Sequence, residues 1–224
     1  MDRLQRITLL LGKEAVEKLQ KSTVMVVGCG AVGSFAIEAL ARSGVGHIIL
    51  IDFDKIEESN INRQLVALDS TVGKSKVQIA TQRIADINPK IKVDAFNVFF
   101  DEDIGLDVKP DFVIDAIDTV PSKIALYKWC EKNNISFISS MGAARKTDLT
   151  KIKVGKISKT TVCPLASKIR HAVHDLKIKD FPVVYSTETA VPQPNGGREF
   201  GSIVTVTGAF GLMLADFVIK KLIS

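Results

Sequence analysis

Three observations predict an α/β protein with a mostly parallel sheet flanked by helices. Strand and helix signals alternate from residue 23 to about 140, and the first short β-branched run is followed by helical spacing. At 224 residues the chain is long enough for one well-filled domain, not two. Thr23 to Val27 is the first apolar run and leads into Gly28. Val32, Phe35, Ala36, Ala39 and Leu40 then repeat at i, i+3, i+4, i+7, i+8, a single helical face that Ser43-Gly44 ends. His47 to Ile51 is the second strand. Val77, Ala80, Ile84 and Ile87 stripe the next helix, which stops at Asn88-Pro89 because the residue before proline is pushed out of the helical region. Ile91, Val93 and Ala95 alternate as a strand, and residues 112–114 form another. Ala125, Leu126, Trp129 and Cys130 mark a helix face, and residues 135–140 close this part.

Beyond Met141 the pattern changes. Ile152 and Val154 alternate in a basic strand, Leu165, Ile169, Val173 and Leu176 stripe a helix, and residues 181–186 are strand-like. A Pro/Gly-rich loop is expected from Pro192 to Gly197, then a C-terminal helix. Residues 203–219 are interrupted by Thr205, Thr207 and Asp216, so this is expected to be a core helix and not a membrane span. We read one domain over residues 1–224: an N-terminal helical segment (1–22), a core (23–140) and a C-terminal extension (141–224) that covers the ligand site.

Composition narrows the function classes. Apolar residues make up 46% and charged residues 25%, an ordinary globular balance. No apolar stretch follows a basic start, so no signal peptide is expected. Cys29, Cys130 and Cys163 are too few and too scattered for a disulfide framework or a CxxC zinc site, which points to a reducing cytoplasm. Net charge is +5, yet residues 145–170 alone hold eight Lys or Arg against Asp148, so the rest of the chain is slightly acidic. Such clustering fits a polyanion site, although a solvated face would look the same.

Gly28-Cys29-Gly30-Ala31-Val32-Gly33 matches G-x-G-x-x-G after a strand and at the start of a helix. The first glycine permits the tight turn, the second lets a phosphate reach the backbone, and the third allows close helix–strand packing. The fold is therefore Rossmann-like and its ligand a nucleotide. Asp52, ending the second strand, stands where an acid accepts ribose hydroxyls. A dehydrogenase would need no more than this. Here, however, a long polar connection follows, from Asp52-Phe53-Asp54 to Ser59-Asn60-Ile61-Asn62-Arg63-Gln64, and then Gly73-Lys74-Ser75-Lys76. Cations in that number suit a triphosphate and its leaving pyrophosphate. Asp118, after the strand at 112–114, falls at a C-terminal strand end and is a candidate Mg²⁺ ligand.

Taken in order, G-x-G-x-x-G, D-x-D-x-(I/V)-x-x-S-N-(I/L)-x-R-Q, G-x-x-K and D-x-x-D resemble the signature of the ubiquitin-activating and sulfur-carrier-adenylating superfamily. The resemblance implies ATP with Mg²⁺. Gly28, Gly30 and Gly33 would form the phosphate loop, Asp52 would hold the ribose, and Ser59, Asn60, Arg63 and Lys76 would meet phosphates. Asp118 would position Mg²⁺. The start, Asp2-Arg3-Leu4-Gln5-Arg6 before Leu9-Leu10-Leu11-Gly12, resembles the family's N-terminal segment. Arg6 would there reach the triphosphate of the partner copy in a homodimer.

Two branches share the first chemical step. Met141-Gly142-Ala143-Ala144, Pro164-Leu165-Ala166, Ile169-Arg170 and the run from Val184 to Glu188 resemble the tRNA threonylcarbamoyladenosine dehydratases. That branch implies tRNA as partner, and the basic stretch at residues 145–170 then makes Lys151, Lys153, Lys156 and Lys159 the expected tRNA contacts. The alternative is adenylation of a ubiquitin-like sulfur carrier, whose enzymes usually carry two CxxC pairs that this chain lacks. Some relatives use a cysteine near position 163, which would imply a cysteine-desulfurase relay partner; no spacing ties Cys163 to a base, and we read it as structural. His171 and His174 lack a third ligand at readable spacing and are read as solvated or RNA-facing. Ser186, Thr187 and Glu188 follow an apolar strand and are expected to line the acceptor pocket.

Overall fold

The structure, a computed structural model, describes residues 2–101, 104–193 and 200–224. Seven short, mostly Val- and Ile-rich runs form β1 (Thr23–Val27), β2 (His47–Ile51), β3 (Lys92–Phe96), β4 (Phe112–Asp115), β5 (Ser136–Ser140), β6 (Ile152–Lys156) and β7 (Pro182–Ser186). They make one sheet in the order β3-β2-β1-β4-β5-β7-β6. Every neighbouring pair is parallel except β6 and β7. The helices are α1 (Gln5–Leu11), α2 (Lys13–Lys21), α3 (Gly33–Ser43), α4 (Lys76–Ile87), α5 (Val120–Lys132), α6 (Pro164–Asp175) and α7 (Val204–Ile223).

Central parallel strands are covered on both faces, which is why β1, β2 and β4 read as continuous apolar runs. Val24, Val26, Ile48, Leu50 and Ile114 face a layer of α3, α4 and α7. Met25, Val27, Ile49, Ile51 and Val113 face α5 and α6. The edge strand β3 is only half covered, with Val93 partly buried and Ala95 exposed. α3 ends as expected at Gly44, whose φ of 86° and ψ of 25° are left-handed; the Val45 N–H reaches back to the Leu40 carbonyl at 3.2 Å. α4 stops at the extended Asn88, before Pro89.

β7 and β6 widen the sheet, and α7 lies along α3 with Gly211 so close that an added Cβ would stand 2.2 Å from the Val32 carbonyl oxygen. Val154 is 41% exposed because β6 is an edge. The expected loop from Pro192 to Gly197 lies largely outside the described residues. Among the described residues, no helix is long and apolar enough to cross a membrane.

Residues 145–148 are strapped to the chain after β7. The Glu188 carboxylate accepts from the Thr147 N–H (3.0 and 3.1 Å), the Thr147 hydroxyl (3.0 Å) and the Asp148 N–H (3.0 Å). The buried Lys146 ammonium donates to the Glu188 carbonyl. Burial opposes the charge on Glu188, but the amides, the hydroxyl and Lys146 outweigh it and hold the carboxyl below its usual pKa. Glu188 is thus a clamp within the protein, not a free acceptor-pocket group as the strand-end position suggested.

Two expectations follow. Gly211→Ala overpacks the α3–α7 contact and should cost about 1–3 kcal/mol, seen as a lower melting temperature; the half-exposed Leu212→Ala is the control. Equal melting of the two variants would remove the close-approach argument. Because the folded pKa of Glu188 is depressed, its stabilisation is present above the ordinary carboxylate range and is lost as pH falls through the folded pKa. Glu188→Gln should therefore melt lower than wild type at pH 7, with the gap closing as the solution is acidified below that range. A gap independent of pH would contradict the charged clamp.

Candidate active site

Strand order reverses between β1 and β4, since β1 continues to β2 on one side and β4 to β5 on the other. Ligands of open α/β sheets bind at such a point, beyond the carboxyl ends of the strands. Here Gly28 turns the chain with a φ of 95°; a Cβ on it would lie 2.7 Å from the Ala116 carbonyl oxygen. A Cβ on Gly33 would lie 1.7 Å from the Gly28 oxygen, so the third glycine is demanded by packing. A Cβ on Gly30 would meet only the Gln64 side chain, at 3.7 Å and beyond. That leaves the backbone there open to an anion at the start of α3.

A cavity of ≈ 260 Å³ fills this crevice. Gly28, Gly30, Asp52, Arg63, Lys76 and Asp118 all line it, six residues the sequence singled out. Asp52 is held by two backbone donors, the Cys29 N–H to Oδ2 at 2.6 Å and the Asp54 N–H to Oδ1 at 2.8 Å. Each oxygen keeps a lone pair for a further donor. Burial raises the Asp52 pKa, opposed by those two amides and by Lys76. Lys76 is buried and pairs with Asp54 at 2.6 Å. The Arg63 guanidinium bonds the Ser59 carbonyl (2.6 Å) and the Asn62 Oδ1 (2.7 Å). Asp118 is exposed on the turn after β4.

Other expected residues stand apart from the cavity. Asn60 is buried, and its Oδ1 accepts the Glu57 N–H at 3.2 Å, shaping the 3₁₀ turn over Glu58–Asn60 that carries Arg63 forward. Ser59 donates to Glu57 at 3.3 Å on the surface. Arg6 is exposed on α1 and does not line the cavity of its own chain. Met141 is buried beside β7, its N–H on the Val184 carbonyl at 2.8 Å, and no described residue beyond Ser122 lines the cavity.

Sequence reasoning gave no role to several cavity residues. Asp54 holds Lys76, and its place in D-x-D could have signalled this. Phe53 and Phe99 pack edge to face at 5.0 Å and, with Val98 and Phe100, make an apolar wall. The buried Gln64 Oε1 and Ser122 Oγ have no hydrogen-bond partner among the described residues, and both residues line the cavity. Unpaired buried polar atoms suit a polar ligand. No spacing in the sequence marks Ser122.

The four lysines are divided by the direction of β6. It runs antiparallel to β7, with Ile152 opposite Ser186 and Lys156 opposite Pro182. Lys151 and Lys153 therefore lie toward the cavity end of the sheet, while Lys156 stands about 14 Å from Ile152 toward the other end at ~3.4 Å per residue, and Lys159 follows it in a 3₁₀ turn. Cys29 and Cys130 are buried thiols whose pKa burial raises, which leaves them inert. Cys163 is buried and caps α6, accepting the Ala166 N–H at 3.5 Å. His171 and His174 are exposed. Among the described residues no three His, Cys, Asp or Glu cluster as a metal site. A larger hollow of ≈ 790 Å³ lies at the opposite end of the sheet, among Phe112, Phe137, Phe181 and Phe217. It contains none of the motif residues.

Comparison with known proteins accords with this arrangement. The chain is 48% identical over 195 residues to the tRNA threonylcarbamoyladenosine dehydratase of Bacillus subtilis, covering 85% of this chain and 77% of that protein. The crystal structure of the Escherichia coli tRNA N6-threonylcarbamoyladenosine dehydratase with AMP superposes with a TM-score of 0.92 at 37% identity, covering 98% and 93% of the two chains. The same enzyme with ATP gives 0.91 at 36% identity and the same coverage. Residues 2–224 match the ThiF family as a whole, and the chain belongs to that family.

Proposed function

We propose that this chain is an ATP-dependent tRNA threonylcarbamoyladenosine dehydratase, which adenylates the threonyl carboxylate of the modified adenosine and lets it cyclise. The observation that carries the reading is the single cavity at the β1/β4 reversal, where open backbone at Gly30, a two-amide-held Asp52, the cations Arg63 and Lys76, and Asp118 meet. Asp52 accepts the ribose hydroxyls, and the Phe53–Phe99 wall takes the adenine face. Arg63 and Lys76 face the phosphates; the Lys76–Asp54 pair presets the ammonium at the wall.

The substrate carboxylate is itself the nucleophile toward the α-phosphorus, so the protein supplies no general base. Pyrophosphate leaves, an atom of the same substituent attacks the acyl-adenylate, and AMP departs. Orientation and charge stabilisation are the protein's contribution. Asp118, a carboxylate just past a strand end, would hold Mg²⁺, which would supply charge neutralisation at the phosphates. Arg6 serves the cavity of a second copy in a homodimer. Leu9 and Leu10 beside it are 75% and 80% exposed, an apolar strip that a partner would cover. Such an enzyme works in the cytoplasm, on tRNA. The sulfur-carrier alternative shares the cavity and the first step, but its usual CxxC pairs are absent from the sequence and Cys163 is enclosed.

The test is turnover of ATP and threonylcarbamoyladenosine-containing tRNA, followed by nucleoside mass spectrometry. Asp118→Ala should fold normally and lose more than about a hundredfold in rate, the usual effect of removing one charge-stabilising group. Near-wild-type turnover would take Asp118 out of the site, and no cyclised nucleoside from the wild-type protein would sink the function. Lys151→Glu/Lys153→Glu should weaken tRNA binding and flatten its salt dependence more than Lys156→Glu/Lys159→Glu, with ATP affinity unchanged in both. Equal effects of the two pairs would place the RNA surface elsewhere.

A further inference from the structure

A second lysine lies beneath the site, and the proposed mechanism does not use it. Lys123 is on α5, wholly buried, and its ammonium spends all three protons inside the protein. They go to Asp115 Oδ2 at 2.8 Å, Ser139 Oγ at 3.2 Å and the Ser140 carbonyl at 2.8 Å. The same Asp115 oxygen also lies 2.8 Å from the Tyr127 hydroxyl and 2.5 Å from that of Ser139, which are themselves 2.7 Å apart. Two hydroxyl protons serve those three contacts, so the hydroxyls relay one bond between them. The other Asp115 oxygen, Oδ1, accepts the Ile117 N–H at 3.0 Å.

That last bond gives the network a direction. Asp115 ends β4, and Ile117 immediately precedes Asp118. The Ala116 carbonyl between them is the group against which Gly28 packs. At its other end the ammonium holds Ser140, the last residue of β5, just before the chain departs toward Met141. One buried cation thus ties the ends of two neighbouring strands to the turn that lines the cavity.

The geometry points to Lys123 as a positioning residue: through Asp115 it fixes the Ile117–Asp118 turn, and so sets where the Asp118 carboxylate stands relative to Gly28 and the phosphates. The inference rests on the reading of Asp118 as the metal-positioning group. An ordinary core would fill this space with apolar side chains, since a buried ion pair is seldom the most stable choice. Here the pair is satisfied at every proton and aimed, through Oδ1, at one backbone amide. Outer groups that orient a ligating side chain typically matter by 10–100-fold.

The full-length protein is compared as wild type, Tyr127→Phe, Asp115→Asn, Lys123→Met and the charge-free pair Asp115→Asn/Lys123→Met. The measurements are amide hydrogen exchange over residues 116–118, the Mg²⁺ dependence of ATP binding by calorimetry, adenylation kinetics, and melting temperature. Tyr127→Phe removes one hydroxyl and leaves Lys123 in place, so it remains folded. The double variant leaves no unpaired buried charge, and it stands in for Lys123→Met should that single change fail to fold. Positioning predicts faster exchange at Ile117, a higher Mg²⁺ midpoint, and kcat lowered by about tenfold or more while the KM for ATP moves by less than about twofold. Tyr127→Phe should shift least and the double variant most. A lowered melting temperature with exchange at Ile117, Mg²⁺ midpoint and kcat all at wild-type values would make the network structural only and overturn the inference. Asp118→Ala separates the two claims: if it retains the wild-type Mg²⁺ response, the reading of Asp118 fails, whereas loss of the response there with none in the network variants fails the network alone.

Discussion

The architecture of the site depends on a contact in which side chains take no part. The turn after β1 passes so close to the end of β4 that backbone meets backbone, with the Ala116 carbonyl against Gly28 and the Gly28 carbonyl against Gly33. The first contact brings the strand that delivers Asp118 beside the glycine loop. The second sets α3 directly on the strand that precedes it, so its first turn opens into the crevice. Asp52 is then within reach of the Cys29 N–H, and its carboxylate is aligned by the loop it faces. A methyl group at either glycine would push apart the groups the chemistry needs together.

Around that contact the protein uses two lysines in opposite ways. Lys123 is sealed, with 0% of its side chain exposed and an acceptor for each proton. A cation so fully satisfied has nothing to offer a ligand, and its worth lies in fixing what surrounds it. Lys76 is nearly as buried, at 7%, but its one ion-pair partner among the described residues, Asp54, is 45% exposed. An ammonium with a single, solvent-accessible partner can share protons with an arriving phosphate without leaving a buried charge uncompensated. Burial alone does not distinguish the two; the count of partners does.

The sequence made the sheet, its helices and the cavity legible where local rules coincide with packing. The β1 run, the glycine motif, the helical face of α3 and its Gly44 stop all report on the same close packing. So G-x-G-x-x-G, Asp52, Arg63, Lys76 and Asp118 could be placed on one crevice before any geometry was known. Asn60 and Ser59 were legible as motif members but not as turn-formers, because a side chain that builds a loop and one that faces a ligand have the same spacing. Ser122 and the Phe53–Phe99 wall carry no periodic signal. They become visible only when the strand ends are brought together.

The acceptor side shows most clearly why linear charge is a poor guide to a surface. Eight cations lie within residues 145–170, yet the fold disperses them. Lys146 is buried on the Glu188 carbonyl, Arg145 bonds the Val191 carbonyl at 2.8 Å, and Arg170 is spent on Thr160. β6 then runs antiparallel, so each step along it leads away from the cavity. Its alternation also sends Lys153 and Lys156 to opposite faces of the sheet. The edge lysines have a second physical role, since charge on an edge strand discourages pairing with another chain. The place of Lys151 and Lys153 at the cavity end of β6, and not the total charge of the segment, is what favours them over Lys156 and Lys159 as the groups that would meet a polyanion.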